Sequence, residues 1–259
     1  MRLMLQVQNW YRKRLMSTLS VMRTAAAVLC LSAIGLVLSG CPGGSSQAAP
    51  DPTIRFFNAS PDSGPLDFFL DEDLEGAALA FLSWTAGFKS IESGPYDIGV
   101  FDAGTQNNHD AIFVNLNRDK HYLVSSIGLV NFGTEAEKRL RLVLTEINRN
   151  AVNGNVARLI IFHAFARETG FQTPAIDFQN PGDNPQFKVE NIAFASSKTL
   201  DVDAGTHDFE ARRNESEHVY ATVNVTLGAG KIYAVFVTGI ENGTGALAPQ
   251  IVFVEIAPK

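Results

Sequence analysis

An all-β fold built twice is what this sequence predicts: two tandem β-sandwich units with an immunoglobulin-like outline. Two observations predict it. Short runs of β-branched and aromatic residues alternate with turn signals at intervals of roughly 8–12 residues, the spacing of a sandwich. The same order of runs then appears a second time along the chain. An N-terminal segment of different composition sets both units apart from what precedes them.

That segment comes first. Residues 1–40 carry Arg2, Arg12, Lys13, Arg14 and Arg23 and no acid, and the stretch from Ala25 to Leu38 has no charge. A basic region before an apolar one reads as a secretory signal. The apolar run falls short of the about 20 residues that a membrane-spanning helix needs. Its end, Leu38-Ser39-Gly40-Cys41, resembles the lipobox of bacterial lipoproteins: an aliphatic residue, two small residues, then cysteine. The resemblance implies cleavage between Gly40 and Cys41, with a diacylglyceryl group on the Cys41 thiol and acylation of the new amine. Two or three acyl chains anchor stably where one does not. Residues 41–52, rich in Pro, Gly and Ser, read as a flexible tether. The lipoprotein resemblance further implies the outer membrane, because Pro42 replaces the aspartate associated with inner-membrane retention.

The first unit is expected over residues 53–148. Thr53–Ser60 opens it, and Pro65–Asp71 follows with proline at a strand start, where its missing N–H is harmless. Phe88–Glu92, Tyr96–Asp102, His109–Leu116, Lys120–Val130 and Arg139–Ile147 complete about seven strands, separated by turns such as Ser60-Pro-Asp-Ser-Gly64 and Asn117-Arg-Asp119. Leu74–Phe81 is ambiguous and could form a helical turn. Asn148–Asn155 is a turn-rich linker, and residues 156–257 form the second unit.

The duplication is visible without gaps. Placing residues 94–128 on 205–239 matches Gly94, Asp97, Val114, Leu116, Lys120, Tyr122, Val124 and Gly128 with identical residues 111 positions on. Phe57-Asn-Ala-Ser60 answers Phe162-His-Ala-Phe165, and Pro65-Leu-Asp67-Phe68 answers Pro174-Ala-Ile-Asp177-Phe178.

These residues also carry a family resemblance. Arg55-Phe-Phe-Asn-Ala-Ser-Pro-Asp62 and Pro65-Leu-Asp67-Phe-Phe-Leu-Asp71 resemble the opening of the domain of unknown function 4397. Ser93-Gly-Pro-Tyr96, Ala204-Gly-Thr-His207, Asp119-Lys-His-Tyr122 and Gly230-Lys-Ile-Tyr233 resemble its later turns. The resemblance runs over nearly the whole mature chain, once per unit, with Asn58 standing where the family has histidine and His163 keeping it. It implies an exported bacterial protein and transfers no catalytic residue.

Composition narrows the chemistry. Beyond residue 41 stand 16 Lys and Arg against 27 acids, a net of −11, which argues against nucleic acid. Cys30 lies in the discarded segment and Cys41 carries lipid, so the mature part has no disulfide and no cysteine metal site. Asp71-Glu-Asp-Leu-Glu-Gly76 mimics the start of a calcium loop, but position twelve is Leu82 instead of the bidentate glutamate. The histidines, at 109, 121, 163, 207 and 218, have no zinc spacing. A triad of Ser60, His163 and Asp67 is imaginable across the units but has no local support. Gly228-Ala-Gly-Lys231 fits a strand-connecting turn better than a phosphate loop. Trp84 and Phe88 could stack on sugars if exposed, core burial being the commoner fate. Asp67 and Asp177 recur at matching strand positions, which suggests structural hydrogen bonding.

The expectation is therefore a lipid-anchored envelope protein that is not an enzyme and takes no cofactor or metal. It acts as a structural or interaction module, with an envelope protein or polysaccharide as partner. A carbohydrate- or polymer-binding protein is the first alternative and a hydrolase with a loop-built site the second.

Overall fold

The computed structural model describes residues 49–131, 136–167, 172–182 and 184–257. The expected signal peptide, the expected cleavage site and Cys41 lie outside the described residues. Among the described residues the chain forms sixteen strands, eight in each unit. The first unit holds β1 (Thr53–Asn58), β2 (Leu66–Leu70), β3 (Asp73–Leu79), β4 (Lys89–Ser90), β5 (Gly94–Asp102), β6 (Asn108–Leu116), β7 (His121–Ile127) and β8 (Arg141–Glu146). The second holds β9 (Val156–His163), β10 (Ile176–Gln179), β11 (Lys188–Ile192), β12 (Ser197–Asp203), β13 (Gly205–Arg213), β14 (Val219–Leu227), β15 (Ile232–Thr238) and β16 (Gln250–Ile256).

Both units are β-sandwiches with one topology. The first pairs β4-β1-β7-β8 in one sheet and β3-β2-β5-β6 in the other, and the second pairs β12-β9-β15-β16 and β11-β10-β13-β14. In each, the first strand runs parallel to the seventh. Each sandwich thus has four strands per sheet, where the immunoglobulin constant outline has four and three. The extra strand in the first unit is β3, in the stretch whose sequence is ambiguous and would also allow a helical turn. Asp73-Leu-Glu-Gly-Ala-Ala-Leu79 lacks β-branched residues, but pairing with β2 overrides local propensity. Phe88–Glu92 contracts to the two residues of β4.

The duplication holds in register. Gly94 opposes Leu116 as Gly205 opposes Leu227. The hydroxyl of Tyr122 accepts the N–H of Asn117 at 3.1 Å, and that of Tyr233 accepts the N–H of Gly228 at 3.0 Å. Lys120 pairs with Glu146 and Lys231 with Glu255, both at 2.6 Å. Gly128 and Gly239 both have positive φ, and a Cβ on either would fall within 2.6 Å of a backbone carbonyl oxygen, Lys138 or Ala248. The recurrent residues are therefore fold positions.

Strand alternation fills three apolar layers. Ile54, Phe56, Phe68, Ile98, Val100 and Val124 pack inside the first sandwich, and Leu159, Ile161, Phe178, Phe209, Val235 and Val237 inside the second. The third layer lies between the sandwiches. Phe57, Leu123 and Ile127 of the first meet Ile160, Phe162, Ala234, Phe236, Val254 and Ile256 of the second. Four sheets are thus stacked, and Ala48–Lys259 form one compact unit. Phe236 stacks on Phe57 at 4.1 Å and on Phe162 at 4.7 Å, and the Thr238 hydroxyl donates to the Ala59 carbonyl at 3.0 Å. The linker contributes buried Val152 to the same layer.

Candidate functional site

The polar residues singled out in the sequence are occupied by the backbone. Asp67 accepts the N–H of Ala78 at 2.7 Å through one oxygen and that of Gly104 at 2.8 Å through the other. Asp177 accepts Asn191 N–H and Asn214 Nδ2, each at 2.8 Å. Ala78 and Asn191 both have positive φ, so each aspartate pins a left-handed residue in β3 or β11. Ser60 is buried and donates to the Gly128 carbonyl, while Asp62 accepts the N–H groups of Val130 and Asn131. His163 is bonded through Nδ1 to the Ile192 carbonyl. Ser60, Asp67 and His163 thus each serve a separate backbone contact, and the structure does not assemble them into a triad.

The calcium-loop candidate resolves into a turn and a strand. Asp71 sits at positive φ between β2 and β3 and accepts the N–H of Asp97 at 2.9 Å. Gly76 lies within β3, opposite Phe68, and Glu75 pairs with Lys89 at 2.7 Å. Among the described residues no three His, Cys, Asp or Glu side chains come together as a metal site. Gly228–Lys231 is the turn between β14 and β15, as its sequence suggests.

The best-formed feature outside this structural network lies where the two units cease to match. In the second unit β12 pairs continuously with β9, from Ser197 opposite Phe162 to Asp203 opposite Val156. In the first, Trp84 bridges Phe57 and Lys89 pairs with Ile54. Three steps along β1 are therefore spanned by five along its partner, and the segment between Trp84 and Lys89 bulges away. The Thr85 carbonyl accepts Arg55 Nε at 3.0 Å, and its hydroxyl accepts Phe56 N–H at 3.2 Å.

The bulge opens a narrow crevice of about 10 Å³, room for about one water molecule, lined by Arg55, Phe57, Trp84, Phe88 and Leu123 of the first unit and by Ala234, Phe236, Val254 and Ile256 of the second. A wider cleft adjoins it through Phe88, bordered by Glu75 and Lys89. Arg55 and Phe57 project from one face of β1, and Trp84 lies across both, 5.5 Å from the Arg55 guanidinium and 5.7 Å from the Phe57 ring. Trp84 remains 38% exposed. Phe88 has the Arg55 guanidinium at 5.8 Å and that of Arg149 at 4.3 Å. Arg149 Nε donates to the Ala257 carbonyl at 2.9 Å. Neither arginine has a carboxylate partner among the described residues. Burial, together with the neighbouring Arg149 charge, pushes Arg55 below the ordinary arginine pKa, and burial alone lowers Arg149.

The sequence reading noted Trp84 and Phe88 but missed both arginines. Arg55 carried a signal: a cation inside the apolar run Ile54-Arg-Phe-Phe57. Arg149 carried none, being one polar residue in a polar linker.

Fold and groove define a tandem β-sandwich protein with a cationic, aromatic crevice at the seam between its two units. Residues 52–179 match the family model of Domain of unknown function (DUF4397). The matched segment runs once, across the linker, and takes in the first sandwich with β9 and β10 of the second. No curated protein matches the chain in sequence. Among solved structures, the Bacillus anthracis TIE protein is 8% identical with a TM-score of 0.25, covering 74% of this chain and 34% of that one. The chain thus spans about a third of that protein. CBMbc (family CBM26) from Eubacterium rectale Amy13K, in complex with maltoheptaose, is 11% identical with a TM-score of 0.23, covering 80% of this chain and 98% of that one. A candidate adhesin from Bacteroides ovatus is 11% identical with a TM-score of 0.25, covering 80% and 93%. These likenesses are distant.

Proposed function

We propose that the chain is a non-enzymatic binding module of the bacterial envelope, held by lipid on Cys41 after cleavage at Gly40 and facing its partner from the outer membrane. The observation that carries this reading is the engagement of Asp67 and Asp177 with backbone N–H groups at equivalent places in both units. General acid–base catalysis needs a carboxyl group free to reach a substrate proton, and the two recurrent carboxylates are engaged in holding strands. Nucleophilic catalysis needs an activated hydroxyl or thiol, and Ser60 is buried against a carbonyl. What remains is surface for contact: sheet edges, end loops and the groove beside Trp84.

Crosslinking in intact envelopes followed by affinity capture of the full chain tests the reading, alongside an esterase, glycosidase and peptidase screen of the purified protein. A saturable partner with no turnover supports it. Turnover that vanishes on replacing one Asp, Ser or His overturns it.

A further inference from the structure

We propose that the groove formed by Arg55, Trp84, Phe88 and Arg149 binds a carboxylate-bearing sugar chain of the uronic acid type. The inference deepens the binding-module reading and rests on it. Four observations converge. The bulge that opens the groove is found in the first unit, while in the second unit Ser197 and regular β12 occupy the equivalent edge; Ala234, Phe236, Val254 and Ile256 of the second unit also line the crevice. The repeated framework shows that the fold does not require the bulge. Departures from local consistency that the fold does not need are where function is expected.

The second observation is charge. Two guanidinium groups share Phe88, and no carboxylate of the described residues neutralises either. Like charges held over an apolar floor repel, and an anion relieves the repulsion. A guanidinium fork matches a carboxylate in bidentate geometry. Arg55, 8% exposed, uses its Nε on Thr85, and half-buried Arg149 uses its Nε on Ala257, so Arg149 is the guanidinium a ligand meets first.

The third is shape. Trp84 packs on Arg55 and Phe57 of β1 and still keeps 38% of its surface exposed. A flat aromatic face receives the C–H face of a pyranose, as aromatic surfaces receive apolar ones. A ring on Trp84 with its carboxylate toward the arginines uses both features, whereas a small inorganic anion uses one. The fourth is the surrounding charge. The net of −11 beyond residue 41 repels dense polyanions at long range, which favours a sugar chain with one carboxylate per residue over a polyphosphate.

Trp84 reports on the site directly, since the only other tryptophan is Trp10. The full chain carrying Trp10→Phe is titrated with trigalacturonate, with neutral trigalactose and with inorganic phosphate, following indole fluorescence. Expected is a saturable change with trigalacturonate, at least tenfold weaker in Arg149→Gln, and at least tenfold weaker again for trigalactose on the parent. Arg149 is half-buried at the rim, so its replacement leaves the sandwich cores intact; Arg55→Gln, beneath Trp84, is the second variant. No saturable change with trigalacturonate, equal affinity for the neutral sugar, or tighter binding of phosphate overturns the proposal. Envelope capture of a specific partner alongside any of those results overturns the groove alone and leaves the binding-module reading standing.

Discussion

Asn58 and His163 stand at the same place in the two sandwiches and hold the same loop by different chemistry. Asn58 Nδ2 donates to the Leu79 carbonyl at 3.0 Å, and His163 Nδ1 donates to the Ile192 carbonyl at 2.9 Å. In both units the backbone N–H of this residue then bonds to a serine carbonyl, Ser83 or Ser196. The amide is neutral at every pH. The imidazole is 1% exposed and its Nε2 has no partner. Burial pushes the His163 pKa down from 6.5 to about 4.

A pH dependence follows from this pair. The unfolded chain protonates His163 below pH 6.5, while the folded chain resists protonation until about pH 4. Stability is therefore unpenalised above pH 6.5 and falls as pH drops through that window, because the unfolded state binds more protons. At 1.36 kcal/mol per pKa unit the loss is about 3 kcal/mol. His163→Asn, copying the first unit, should remove that part of the acid sensitivity. Urea midpoints at pH 7 and pH 4 measure it. Equal losses in parent and variant would show that other groups carry the acid response.

The interface between sandwiches should behave as core. Phe236 is clasped by Phe57 of one unit and Phe162 of the other. Phe236→Ala is expected to lower stability by about 3–5 kcal/mol, the range for emptying a packed aromatic site. Residues 156–259 made alone keep the core around Phe178 and Phe209 but expose the sheet face bearing Ile160, Phe162, Phe236 and Val254. Apolar patches of that kind associate. Light scattering should find the isolated second unit self-associated, and a stable monomer at high concentration would contradict this.

How much of this was legible in the sequence depends on which interactions are local. Strand alternation and turn residues revealed the class, and the constant offset of 111 revealed the repeat register, since both are written in neighbouring residues. β3 was not legible, because Ala and Glu favour helix and only pairing with β2 and the bond from Asp67 to Ala78 make it a strand. The inter-sandwich layer was not legible either. Phe57 and Phe236 are separated by 179 positions, and alternation cannot say whether an outward face meets water or another sheet. The groove escaped for a related reason: it arises from a mismatch between two strands, and only their pairing displays it.

Anchoring is tested at its single chemical point. The basic segment, the uncharged run and Leu38-Ser39-Gly40-Cys41 lead us to expect lipid on Cys41. Among the described residues, Ala49 and Pro50 are already docked on the turn before β7, through Arg118 and the Asp119 N–H. Cys41→Ser should abolish incorporation of a clickable fatty acid and release the protein from the membrane fraction. Equal labelling of variant and parent would refute the assignment.

The two recurrent aspartates give the sharpest contrast, since the same substitution should act differently in each. Asp67 uses both oxygens, one on Ala78 N–H and one on Gly104 N–H. Asn in its place has a single oxygen, so its amide N–H groups must face one of those donors and leave it unpaired. An unsatisfied buried donor costs about 1–3 kcal/mol, with more where the lost bond was to a charged acceptor. Asp177 directs Oδ1 alone at Asn191 N–H and Asn214 Nδ2. An asparagine there can keep its oxygen in that position and turn its amide group away from both donors. Asp67→Asn should therefore destabilise by about 2–3 kcal/mol and Asp177→Asn by less than about 1 kcal/mol. Denaturation midpoints of the two single variants decide the matter. Equal losses would mean that the carboxylate charge, shared by both sites, matters more than the geometry that separates them.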